Sequence, residues 1–150
     1  MNARTVKRRV RGFTLIELMI VVALIAVASG VVSLALRDPN ASALEQDAAR
    51  LAALLESARA ESRASGMAVR WEPRPAQAEG TGFRFIGLPP SVNMPQQWLT
   101  DGVSAEVVGA RAVALGPEPM IGAQRIVLSL EDQRLVLSTD GLGAFVVRAQ

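Results

Sequence analysis

Arg11-Gly12-Phe13-Thr14-Leu15-Ile16-Glu17-Leu18-Met19-Ile20 marks the point where a basic N-terminus becomes an apolar run. Upstream lie Arg4, Lys7, Arg8, Arg9 and Arg11; downstream, Phe13 to Leu36 is interrupted only by Glu17 and a few small residues. As a helix those 24 residues would extend about 36 Å, against roughly 30 Å of bilayer hydrocarbon. The basic cluster predicts a cytoplasmic N-terminus, with everything after about residue 37 on the far side of the membrane. Glu17 needs a reason, because a carboxylate in an apolar span costs up to ~3 kcal/mol at the centre and less near the edge. Two readings stay open: a side chain reaching back to the interface, or an ion pair made only after processing and assembly. A rival cut also exists, since Ala26-Val27-Ala28 has the small-residue pattern of a signal-peptidase site and would release the chain from Ser29.

The composition removes several kinds of chemistry. The 150 residues suffice for one domain. With no cysteine and no histidine, thiol and imidazole nucleophiles, disulfides and Cys/His zinc sites are excluded. The single lysine is Lys7. From Phe13 onward eleven basic residues face fourteen acidic ones, a net charge of −3, which offers no general field for phosphate backbones. No nucleic-acid partner, catalytic residue, cofactor or metal is expected. Glu131, Asp132 and Asp140 are the only acids that suggest a carboxylate pair or a calcium site, and they fall in expected turns, where such residues are common for local reasons.

Beyond the apolar run, Asp38-Pro39-Asn40 breaks the helical pattern, and Ser42-Ala43-Leu44-Glu45 reads as a capping box that opens a second helix. Leu44, Ala48, Leu51, Leu55 and Ala58 form its apolar stripe. Arg50, Glu56, Arg59, Glu61 and Arg63 are read as its solvated side, and Gly66 as its end. From Met67 the period falls to two, and 67–71, 82–88, 105–108, 125–130, 134–138 and 144–148 read as strands, with 112–115 a weaker candidate. Glu131-Asp132-Gln133 and Asp140-Gly141-Leu142-Gly143 read as tight connections of a C-terminal antiparallel meander. Trp71 and Trp98 are expected in the core, with exposed recognition residues as the alternative.

The decapeptide at 11–20 resembles the processing site of type IV pilins and type II secretion pseudopilins. That resemblance implies cleavage by a prepilin peptidase between Gly12 and Phe13, N-methylation of Phe13, and an assembly role for Glu17. The order of parts resembles the GspH/FimT group of minor pseudopilins and minor pilins, most clearly over residues 8–72. Within it, Leu54-Leu55-Glu56-Ser57-Ala58-Arg59-Ala60-Glu61-Ser62-Arg63-Ala64-Ser65-Gly66 looks like the group's helix-to-sheet junction, and Ser138-Thr139-Asp140-Gly141-Leu142-Gly143-Ala144-Phe145 like a secretion-type ending. Unlike many major pilins, the apolar run holds no proline and only Gly30, which leaves a locally melted helix less expected.

The resemblance implies an α+β, pilin-like fold. The parts would be a cleaved leader (1–12), a transmembrane assembly helix (13–36), an amphipathic helix packed on the domain (37–66) and a periplasmic antiparallel β-sheet or sandwich domain (67–150). It also implies a minor pseudopilin of the type II secretion pseudopilus, single-pass in the bacterial inner membrane. Its partners would be prepilin peptidase, the major pseudopilin and other minor pseudopilins. A FimT-like minor pilin of a type IV pilus or DNA-uptake system is the alternative.

Overall fold

The computed structural model describes residues 15–35, 38–74 and 82–149, which fall into two compact units on either side of Arg37 and Asp38. The first unit contains α1 (Leu15–Ala35). Each large apolar side chain between Leu15 and Val27 is exposed, as expected of a helix made to be covered by lipid or by other subunits. Among the described residues no helix is long and apolar enough to cross a membrane. Residues 15–29, over which α1 is described with its side chains, rise only about 22 Å, and the expected span at 13–36 runs past the described residues at both ends.

In the second unit α2 (Pro39–Ser65) begins three residues before the expected capping box. Asp38 is the N-cap, its carboxylate accepting the Asn40 N–H at 2.9 Å, and Pro39 occupies the first turn, where its fixed φ suits the helix and its missing N–H costs nothing. Ser42 therefore sits inside the helix, its N–H already donated to the Asp38 carbonyl. At the other end Gly66 has φ 69, the left-handed geometry that closes a helix and that glycine adopts without strain.

Seven strands follow: β1 (Arg70–Pro73), β2 (Phe83–Ile86), β3 (Ser104–Val107), β4 (Val113–Ala114), β5 (Gln124–Leu130), β6 (Gln133–Thr139) and β7 (Val146–Ala149). All pairings are antiparallel and form two sheets, β2-β1-β4 and β3-β5-β6-β7. β5, β6 and β7 are the meander read from the sequence. The weak candidate at 112–115 contracts to the two residues of β4, which pair with Arg70 and Trp71.

Strict alternation on β5 and β6 buries Ile126, Leu128 and Leu130 with Leu135 and Leu137 on one face. The α2 stripe of Leu44, Ala48, Leu51, Leu55 and Ala58 joins the same core. Trp71 is fully buried, and Phe83 links it, at 5.8 Å between ring centroids, to the half-buried Trp98 at 4.7 Å. Both tryptophans thus belong to the core rather than to a recognition surface.

Candidate functional site

Of the three residues singled out at the N-terminus, Gly12 and Phe13 lie outside the described residues. Glu17 sits exposed in the first turn of α1, where the positive end of the helix dipole favours a carboxylate.

In the second unit the polar residues that organise the surface come from α2. Arg59 was expected in solvent but is 2% exposed. Its Nη2 donates to the Gly141 carbonyl at 2.7 Å, and its Nη1 to the Gly143 carbonyl at 2.9 Å. One turn back, Glu56 Oε1 accepts the Phe145 N–H at 3.1 Å and lies 3.9 Å from the Arg59 guanidinium. Guanidinium and carboxylate together hold both ends of the 140–145 loop against the helix. The loop also ties itself: Asp140 Oδ1 accepts the N–H groups of Gly143 (2.7 Å) and Leu142 (2.9 Å), and Thr139 Oγ1 donates to the Gly143 carbonyl at 2.8 Å. Gly141 is required here. Its φ is 96, and a Cβ at this position would lie 1.8 Å from the Ile121 carbonyl oxygen.

A second clamp lies three turns earlier on α2. Asp47, 1% exposed, accepts the Leu99 and Thr100 N–H groups at 2.8 and 3.0 Å, and Arg50 Nη1 donates to the Gln97 carbonyl at 2.9 Å. Ser62, also buried, donates to the Met67 carbonyl at 2.6 Å and fixes the turn into β1. Arg59 escaped sequence reading because it was assigned to the solvated side, and Asp47 and Ser62 because they were given no role of their own. Their spacing was the available signal, since 47, 59 and 62 fall on the same helical stripe as 44, 48, 51, 55 and 58.

The acids that suggested a metal or carboxylate pair are not brought together. Glu131 and Asp132 form the β5–β6 turn and Asp140 follows β6 at its other end, about 27 Å from Asp132 along a strand. Among the described residues no group of three or more acids, histidines or cysteines could hold a metal ion.

The two N–H groups of Gly143 and Leu142 keep the exposed Asp140 carboxyl below its usual 3.8, and Arg59 acts weakly in the same direction. A carboxyl depressed on folding adds stability that is full above its unfolded value and is lost as pH falls through the folded one. The expected result is a small loss of stability as the pH drops below about 4, absent in Asp140→Asn. Urea unfolding between neutral and acid pH checks it.

The profile of the prokaryotic N-terminal methylation motif matches residues 7–33, a stretch that includes Gly12, Phe13 and Glu17. No curated protein matches the chain significantly. Among solved structures the chain is similar to the type IV minor pilin FimU of Pseudomonas aeruginosa in two crystal forms. In one the TM-score is 0.51 at 15% identity, over 71% of this chain and 87% of that one; in the other it is 0.53 at 16% identity, over 70% and 92%. The chain thus joins the N-terminal methylation motif of type IV pilin-like proteins to the two-helix, antiparallel-sheet fold of a minor pilin.

Proposed function

We propose that the protein is a membrane-tethered minor subunit of a pilin-like filament, matured by prepilin peptidase between Gly12 and Phe13 and methylated at Phe13. The observation that carries this reading is the junction at 11–20. It sits inside the methylation-motif match and precedes a domain with a minor-pilin fold. A small residue at Gly12 lets a peptidase approach the backbone, and cutting there creates an ammonium at the start of an apolar helix. Glu17 of a neighbouring subunit would neutralise that ammonium, and the penalty for an unpaired charge in a low-dielectric interior would set the axial register of subunits. The basic leader supports a cytoplasmic N-terminus, with the β domain in the periplasm.

Within that class the protein serves the type II secretion pseudopilus as a GspH-like subunit, working with the major and other minor pseudopilins. The 138–145 ending, clamped by Glu56 and Arg59, supports this finer reading through its resemblance to secretion-type termini. The similarity to FimU favours the alternative, a minor pilin of a type IV pilus. Gene disruption in the native host separates them. Loss of exported enzymes with surface pili intact is the expected result. Loss of pili with export intact would assign the subunit to pilus assembly instead.

A further inference from the structure

The four-stranded sheet turns one face to α2 and the core, and the alternation of its strands turns the other face outward. Its register fixes what the outer face carries. Arg134 lies beside Ser129, which lies beside Ser104; Val136 and Val127 are neighbours, with Arg148 and Glu106 at the two ends of their row; Ser138 lies between Arg125 and Val146. The valines at 127 and 136 are half-buried, whereas Arg125, Arg134 and Arg148 are exposed. An apolar centre is thus ringed by three guanidiniums and one carboxylate.

These arginines differ from others in the domain. Arg50, Arg59, Arg70, Arg74 and Arg84 each hold a hydrogen bond or an ion pair. Among the described residues the side chains of Arg125, Arg134 and Arg148 hold none, nor does the Ser138 hydroxyl. At the Arg125 corner the face dips into a hollow of about 290 Å³, lined by Val108, Arg125, Ser138 and Thr139. By strand spacing Arg134 and Arg148 are about 8 Å apart, and Arg125 is about 12–14 Å from either. A small anion cannot span that ring.

From this placement we infer that the outer face docks the acidic surface of a partner protein, whose apolar centre covers Val127 and Val136 and whose carboxylates meet Arg125, Arg134 and Arg148. The hollow takes one of those carboxylate side chains, with the guanidinium and the Ser138 hydroxyl as donors. An apolar centre rimmed by arginine is the anatomy of a protein interface. A phosphate backbone would instead leave the valines against charge and meet Glu106 in their row. Two copies of this chain face to face would set guanidiniums against guanidiniums. The face belongs to the folded β domain and is present whether or not the N-terminus is processed.

The test uses the full-length protein in the membranes of its native host, with photoreactive benzoylphenylalanine in place of Ser129, beside the valines. Irradiation should join it to another protein, and mass spectrometry of the crosslinked peptide should place the join beside Asp or Glu side chains. Arg134→Glu combined with Arg148→Glu should lower the yield about tenfold while the thermal unfolding of the protein is unchanged, since neither side chain has a partner to lose. Exchanging the contacted carboxylate of the partner for arginine should restore the yield in that variant and lower it against the parent. The inference is overturned by the absence of a light-dependent crosslink, by a join to a segment without acids, by an unchanged yield in the double variant, or by an exchange that restores nothing. A join to a second copy of this chain would overturn it in favour of self-association, and an adduct with lipid or DNA in favour of those ligands.

Discussion

Arg59→Ala should destabilise the β domain by about 3 kcal/mol. The side chain is buried, and its guanidinium donates to the Gly141 and Gly143 carbonyls beside the Ile121 N–H and Thr139 Oγ1. Truncation removes one of the two donors to each carbonyl, leaves a cavity where the side chain lay, and removes the cation beside Glu56. The loss should be local first: the 140–145 loop and β7, which follows it, should exchange hydrogen faster than β5. Arg59→Lys should recover only part of the stability, since one ammonium cannot reproduce a fork that reaches carbonyls two residues apart. Chemical unfolding of the segment from residue 38 onward, together with exchange measured by mass spectrometry, checks both points. An Arg59→Ala domain as stable as the parent would show that the clamp is incidental.

Glu17→Leu should leave the protein abundant and processed but unable to assemble. The substitution removes a charge from an apolar helix, so insertion becomes easier, and Gly12, the residue before the proposed cut, is untouched. On the proposed processing, an ammonium at Phe13 left in the filament without its carboxylate would cost about 3–5 kcal/mol, equivalent to a loss of roughly a hundredfold or more in subunit affinity. Crosslinking to the major subunit and filament-dependent function should therefore both collapse at a normal protein level. Normal crosslinking would leave Glu17 as an interfacial carboxylate.

Most of the fold was legible because its signals are local. The apolar stripe of α2 follows helical spacing, the alternation on β5 and β6 follows strand spacing, and Gly66 ends the helix where a left-handed residue is needed. The start of α2 was misplaced because two N-terminal signals compete within five residues, and a carboxylate followed by proline at Asp38-Pro39 prevails over the capping box at Ser42. The clamps were illegible as contacts, since Arg59 meets residues more than eighty positions away, and no periodicity encodes such a distance. Even so, Asp47, Arg59 and Ser62 were detectable as polar residues on an apolar stripe, each needing a partner for burial. The acids of the two C-terminal turns are near in sequence, yet a seven-residue strand holds them apart.

The central claim is that the chain is processed like a pilin, and the mature N-terminus tests it most directly. Mass spectrometry of the protein extracted from membranes should give a chain that begins at Phe13 and carries one added methyl group on its amine. A chain beginning at Ser29, or one that retains residues 1–12, would contradict the account and remove the basis for an assembly role.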